Sequence, residues 1–423
     1  MTDAAGLVIV GGSVAGLRTA EALRRNSYAG PITLLEADGD LPYDRTALSK
    51  KLLGADGAAA ALHLRSREDL DRVGIEVRLR SRVDSLDTTK RTLRLADGAT
   101  VGYATLVVAT GARARELPGL PRPAVHYLRT LGDAHRLRGA LESVRSVVVV
   151  GAGFIGSEVA AAIAERGANV MVVEPTGYPL GRVLGEVVGE RLAALHTSRG
   201  VRLALGRAVT GVRGDGSGPA PYVVTLDDGG ELGADLVVAG VGAVPNTGWL
   251  AGSAVSVDDG VVCDEFCQTS VPGMFAVGDV ARWPNKLFGE SMRIEHWTNA
   301  IEQSAAVAWN VTHPDRPRGY APVPYVWSDQ YGLRLQIVGC PRADDETRLV
   351  EDDPAAPVLV AIYAREGRMT GAFTLNAPSR LLTLRRALAT RMPLAAVLEN
   401  FAAPVSSGSG AESALQDSAY KML

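Results

Sequence analysis

Two glycine-rich stretches have the spacing of a dinucleotide phosphate site. Gly151-Ala152-Gly153-Phe154-Ile155-Gly156 matches GxGxxG in full, follows an apolar run at 147–150, and has Glu174 23 residues beyond Gly151. A pyrophosphate needs backbone amides at a helix N-terminus and no side chains in the way. A carboxylate at the end of the next strand can accept hydrogen bonds from ribose hydroxyls. The other stretch, Gly11-Gly12-Ser13-Val14-Ala15-Gly16, has Ser13 where the middle glycine normally lies, and Glu36 25 residues after Gly11. Serine is small, and its hydroxyl can itself bond a phosphate oxygen. Glu174 predicts NADH over NADPH at the second site, because it would repel a 2′-phosphate. Arg182, a few residues on, either reaches a phosphate or lies in solvent.

A third stretch, LPYDRTALSK at 41–50, gathers Tyr43, Asp44, Arg45 and Lys50 after a predicted strand ending in ITLLE. Two-nucleotide flavoproteins of one large class carry a redox cysteine here. This chain has none, and its three cysteines, Cys263, Cys267 and Cys340, all lie far downstream. They are too few for a disulfide framework and have no histidine at zinc-ligand spacing, so they read as structural and no metal site is expected.

These motifs need strands and helices to hold them, and a repeat supplies both. GLVIVGGSVAGLRTAEALRRNSYAGPITLLE and SVVVVGAGFIGSEVAAAIAERGANVMVVE each read strand, Gly-rich turn, helix, strand. Apolar runs such as 7–10 and 147–150 suit parallel strands buried on both faces. Each unit is followed by a hairpin signal, Asp97-Gly98 or Asp228-Gly229, then by a strand entering a small-residue loop. The pattern predicts an α/β fold with two Rossmann-like dinucleotide-binding domains, one inserted in the other. GMFAVGDVA at 273–281 would return to the first sheet. From about Pro322, strand-like segments and then SRLLTLRRALAT suggest a small α+β C-terminal domain. The expected division is 1–113 with 248–321, 114–247, 322–405, and a polar tail at 406–423.

The 423 residues are ample for such domains, and 47% are hydrophobic. A net charge of -3 offers no whole-molecule attraction to nucleic acid or anionic membrane. No signal-peptide pattern and no membrane-length apolar run is present, so a cytoplasmic location is expected.

The ordered series GGSVAG, Glu36, PYDRTALSK, ATGA, GAGFIGSE, GVGAVPN, GMFAVGDVA, EHWTNA and VWSDQYG resembles the FAD-dependent NADH:ferredoxin reductase family. That family supplies electrons to bacterial haem-thiolate monooxygenases and ring-hydroxylating dioxygenases. The similarity runs from about residue 7 to about 400 and implies a glutathione-reductase-like arrangement. It implies that Gly11, Gly12, Ser13, Ala15, Gly16 and Glu36 bind FAD, with Asp279 on the ribityl chain and Arg45 toward the FAD chain. Val83, Thr110, Gly111, Arg129 and Trp297 fall where the family contacts FAD, and Trp327 where it flanks the isoalloxazine. Gly151, Gly153, Ile155, Gly156, Glu158, Glu174, Arg182 and Gly242 would serve NADH.

The resemblance also implies that Lys50 and Glu158 meet near flavin N(5), where hydride arrives. An ammonium would stabilise an anionic reduced flavin, and a carboxylate would offset the cost of burying it. The plain alternatives are a solvated loop lysine and a first-turn acid favoured by the helix dipole. The family usually has prolines at positions 46 and 47, and Thr46-Ala47 predicts a softer loop.

The implied partner is an iron–sulfur ferredoxin, transient and acidic, docking on a basic patch. Arg65, Arg67, Arg282, Lys286 and Arg293 are candidates by position along the chain. A monomer or weak dimer is expected. NADH oxidase and CoA-disulfide reductase chemistries need the missing cysteine. A rubredoxin reductase stays open, as does an NADH-sensing flavoprotein of the apoptosis-inducing type.

Overall fold

A computed structural model describes residues 6–402, apart from Lys51, 55–61, Gly119, 121–123, 215–216, Pro219 and 354–356. The polar tail expected at 406–423 lies outside the described residues.

The first sheet is five-stranded and parallel. Its order is Met274–Ala276, Thr105–Val108, Leu7–Val10, Ile32–Leu35, Ile75–Arg78. The central strand Leu7–Val10 is buried along its whole length, as an apolar run without alternation requires. The helix Val14–Arg25 covers one face and lies against the helix Trp297–Thr312, whose Ser304 Oγ donates to the Ala15 carbonyl at 2.9 Å. The strand in GMFAVGDVA does return to this sheet, pairing with Thr105–Val108.

The second sheet repeats the plan. Its order is Arg202–Leu205, Asn169–Glu174, Ser146–Val150, Leu236–Ala239, His126–Tyr127, again parallel. Each sheet has a three-stranded antiparallel companion, and the Asp97-Gly98 and Asp228-Gly229 turns lie in these. The chain crosses between the two halves through a ribbon in which Ala112–Ala114 pairs with Ala243–Pro245.

The last sheet is antiparallel, in the order Tyr325–Gln330, Leu333–Gly339, Arg368–Leu375, Val358–Arg365, Glu346–Asp353. Side chains alternate across a strand, so both of its faces can be buried. Val360 and Ile362 meet the helices Pro378–Ala389 and Leu394–Ala402 through Leu384, Leu388 and Val397. Leu359, Ala361 and Tyr363 face the other way, onto Leu184, Val188 and Leu192 of the helix Gly181–Ser198. Burying each of the valine, leucine and isoleucine side chains here contributes about 1.5–3 kcal/mol. This contact holds the strand Tyr325–Gln330 against the second fingerprint helix, Phe154–Glu165. Among the described residues no helix is long and apolar enough to cross a membrane.

Candidate active site

The two fingerprint loops share one geometry. Gly11 and Gly151 have φ of +107° and +96°, and a Cβ there would meet the Ala109 carbonyl at 2.2 Å or the Gly240 carbonyl at 2.6 Å. At Gly16 and Gly156 a Cβ would lie 1.9 Å from the carbonyl of Gly11 or Gly151. The middle position is different. Ser13 (φ -74°, ψ -168°) and Gly153 (φ -74°, ψ -173°) have the same ordinary extended backbone. A Cβ on Gly153 would have only the Gly240 carbonyl for company, at 4.0 Å. The departure at Ser13 therefore costs no strain, and its Oγ accepts from Arg45 Nε at 3.1 Å. Neither helix has a side-chain cap, so both first turns keep amides for an anion.

Both acids sit at the ends of their strands and are mostly buried. Glu36 accepts from the Gly12 amide at 2.6 Å and the Asp38 amide at 2.9 Å. Glu174 accepts from the Ala152 amide at 2.7 Å and from the Thr176 amide and hydroxyl, both at 2.9 Å. Each carboxylate thus braces its own glycine loop and keeps lone pairs for a further donor.

A cavity of about 580 Å³ opens at the end of the first sheet. Gly11, Ser13, Ala15 and Glu36 form one side of its wall, and Arg45, Val83, Thr110 and Gly111 another. Arg129, Asp279 and Trp297 complete it, and Ile155 joins from the second fingerprint helix, 43% exposed. Ile155 was expected to serve the nicotinamide nucleotide, and it lies where the two halves face each other. The polar members form one linked set. Arg129 Nη2 meets Asp279 at 2.7 Å, its Nε donates to the Ala112 carbonyl at 2.8 Å, and Arg45 Nη1 donates to the Arg129 carbonyl at 3.2 Å. Gly12 and Gly16 support the loop from behind. Glycine cradles that a Cβ would fill, open first-turn amides and a strand-end carboxylate with spare lone pairs fit FAD in this cavity.

Lys50, Glu158 and Trp327 lie beyond the cavity wall but together. Lys50 Nζ is 2.9 Å from Glu158 Oε1 and 6.0 Å from the Trp327 ring centroid. Trp327 in turn meets Trp297 of the wall edge-on, with centroids 5.9 Å apart. Glu158 is 4% exposed, lies past the first turn of its helix and is paired with Lys50, so it is not a plain first-turn surface acid. Gly153 and Gly242 line the second glycine loop and its neighbour, Gly242 with φ +102°. Arg182 is exposed on the helix Gly181–Ser198.

Two expectations change. Thr46-Ala47 is not slack: the Thr46 amide and hydroxyl both donate to Asp44 Oδ1, at 2.9 and 2.7 Å, and close a 3-10 turn with Ala47 buried. The basic candidates do not form a free patch. Arg65 pairs with Glu21, Arg282 with Asp258, Lys286 with Glu265 and Arg293 with Asp259 and Glu295, while Arg67 bonds the Val77 carbonyl. His296 precedes the helix Trp297–Thr312 without a side-chain capping bond and stays off the cavity wall, its pKa pushed down to about 4 by burial. Asn246 and Trp249 are among the wall residues that had no assigned role. Asn246 exchanges hydrogen bonds with Thr110 at 2.9 Å, and its GVGAVPN motif was the available signal. Trp249 lines the wall with nothing in its neighbourhood of the sequence to mark it.

The cysteines are free, and burial pushes the Cys267 and Cys340 thiols up to about 12 and Cys263 well above its usual value. Among the described residues no cluster could hold a metal ion.

Two nucleotide folds, one cavity between a glycine loop and a lysine–glutamate pair, and no reactive thiol define a two-nucleotide flavoprotein. The pyridine nucleotide-disulphide oxidoreductase family matches residues 5–304, and the reductase C-terminal domain matches 325–403. The ferredoxin–NAD(+) reductase component of the anthranilate 1,2-dioxygenase system of Burkholderia cepacia is 39% identical over 385 residues, 90% of this chain and 93% of its own. Rhodocoxin reductase of Rhodococcus erythropolis is 36% identical over 391 residues, 92% and 90%. Putidaredoxin reductase, solved in a covalent complex with putidaredoxin, superposes with a TM-score of 0.87 at 30% identity, covering 95% of this chain and all of that one. The chain belongs to the pyridine nucleotide-disulphide oxidoreductases, among the FAD- and NADH-dependent ferredoxin reductases that end in a reductase C-terminal domain.

Proposed function

We propose that this protein passes electrons from NADH through FAD to an iron–sulfur ferredoxin that serves a haem-thiolate monooxygenase or a ring-hydroxylating dioxygenase. The observation that carries the reading is the Lys50–Glu158 pair beside the cavity, in a chain whose first cysteine is Cys263. With no thiol at hand, the flavin is the one electron store. Bound FAD supplies the redox chemistry, taking two electrons as hydride from NADH and releasing them singly.

The residues supply position and charge. The unit 1–113 with 248–321 is assigned to FAD, 114–247 to NADH, and 322–405 to closing the site. The Gly11–Gly16 loop faces the FAD pyrophosphate, Glu36 a ribose, and Arg45, Arg129 and Asp279 the chain toward the ring. Gly111, Thr110 and Val83 shape the wall, and Trp297 with Trp327 bounds the ring end. The second loop, with Gly151, Gly153 and Gly156, faces the NADH pyrophosphate, and Glu174 its ribose. Ile155, on the wall shared by both halves, would contact NADH where it approaches the FAD cavity. The Lys50 ammonium stabilises negative charge arriving on the ring, and Glu158 offsets the cost of its partial burial. The cytoplasm, where NADH is supplied, is the assigned location.

The test is NADH-driven cytochrome c reduction by the purified yellow protein, with and without added ferredoxins or rubredoxin. Slow turnover that accelerates with one ferredoxin supports the reading. Full turnover without any iron–sulfur protein, or acceleration by rubredoxin alone, contradicts it.

A further inference from the structure

The Lys50–Glu158 pair sits where three parts of the chain meet, and its surroundings are more specific than an ion pair requires. Glu158 Oε1 takes Lys50 Nζ at 2.9 Å and the Ser328 hydroxyl at 2.7 Å, and Oε2 takes the Ser49 hydroxyl at 2.5 Å. Both serines are buried, Ser328 completely. Ser328 also accepts from Gln330 Nε2 at 3.1 Å, which leaves its single hydrogen for Glu158. Ser328 and Gln330 are two apart on the strand Tyr325–Gln330, so they share the face turned to the second fingerprint helix. Ser49 comes from the segment before Lys50. Asp329, on the opposite face of the strand, is occupied with Arg334.

A buried carboxylate held by one flexible lysine can turn about its side-chain bonds. A hydroxyl on each oxygen fixes it, because any turn breaks a charge-assisted bond in a site of low dielectric. With the carboxylate fixed, the ammonium has one place to rest. We infer that Ser328 and Ser49 are positioning residues for hydride transfer, fixing Glu158 and through it the Lys50 ammonium at the flavin. The C-terminal sheet thereby takes part in chemistry housed in the two nucleotide folds. This inference rests on the role given to Lys50 and Glu158 above.

The test uses the full-length, FAD-loaded protein, mixed anaerobically with excess NADH. The limiting rate of flavin reduction and the half-saturating NADH concentration are read together. Ser328→Ala lowers the limiting rate about tenfold and moves half-saturation less than about twofold, as loss of positioning without loss of binding requires. Ser328→Thr, which keeps the hydroxyl, stays within about threefold of the parent. In a Lys50→Met background, Ser328→Ala costs nothing further, because the two changes disable one unit. A full rate in Ser328→Ala, or an equal loss in both backgrounds, overturns the inference and leaves the role of Lys50 standing. An unchanged rate in Lys50→Met alone overturns that role and this inference with it. If Ser328→Ala does not retain FAD, the same cycle run with Ser49→Ala decides the question.

Discussion

In the proposed reading Lys50 serves the hydride transfer and Glu174 the choice of nucleotide, and each makes a distinct prediction. Lys50→Met removes the ammonium while the serine hydroxyls continue to bond Glu158. The protein should keep its FAD and its absorbance spectrum, while NADH-driven flavin reduction slows about 100-fold, the usual cost of losing one electrostatic stabiliser. Stopped-flow absorbance checks this. Glu174→Ala withdraws the acceptor from the Ala152 amide and, in the proposed reading, from the NADH ribose. The NADH half-saturation should rise about tenfold, and the discrimination against NADPH should shrink. Paired steady-state curves with the two nucleotides measure both effects, and an unchanged preference would remove Glu174 from the specificity.

At the scale of the element, the glycine loops and the clasp between sheets carry the load. Gly156→Ala places a Cβ 1.9 Å from the Gly151 carbonyl and should cost about 2 kcal/mol or more, read as a fall in Tm. Gly153→Ser, which copies Ser13, should change stability by no more than about 0.5 kcal/mol. The clasp is His196, 2% exposed at the end of the helix Gly181–Ser198, with Nδ1 2.6 Å from the Tyr331 hydroxyl in the turn that joins the first two strands of the last sheet. Burial pushes its pKa down from 6.5 to about 4. The folded state therefore resists a proton that the unfolded chain accepts. Stability should fall as pH drops from 6.5 toward 4, by about 3 kcal/mol from this residue once both states are protonated. His296, lowered to about 4 by the same cause, adds to the loss in the same window. Denaturant unfolding at pH 7.5 and pH 4.5 measures it, and His196→Gln should reduce the slope without abolishing it.

The same scale shows what was readable beforehand. The two strand-loop-helix units, Glu36 and Glu174 were legible because their contacts are local in sequence, within 25 residues. Lys50 and Glu158 were legible only through the resemblance, since 108 positions separate them. Ser328 escaped notice because it reaches Glu158 across 170 positions, through the burial of the last sheet against the helix Gly181–Ser198. Nothing in the local pattern of VWSDQYG says which face of that strand meets the helix. The pairing of the basic docking candidates was hidden for a related reason. A charge counted along the chain says nothing of the acid folded beside it, as Lys286 and Glu265 show.

The whole molecule joins two like nucleotide folds through one crossing ribbon and closes them with a third sheet. Its three thiols are free and mostly buried, with pKa values raised by burial. It should therefore take up two electrons per FAD in an anaerobic dithionite titration, not the four of a flavin with a redox disulfide. Prior treatment with iodoacetamide at neutral pH should leave that stoichiometry and the NADH-driven rate unchanged.

The central claim is delivery of electrons from NADH to a ferredoxin. It is tested most directly by reducing the protein anaerobically with one equivalent of NADH and mixing it with an oxidised ferredoxin from an oxygenase system. The account predicts that the flavin is reoxidised within the time of one turnover while the iron–sulfur cluster is reduced, two ferredoxins per flavin. A flavin that stays reduced against every such ferredoxin, yet is promptly reoxidised by oxygen or rubredoxin, would contradict it.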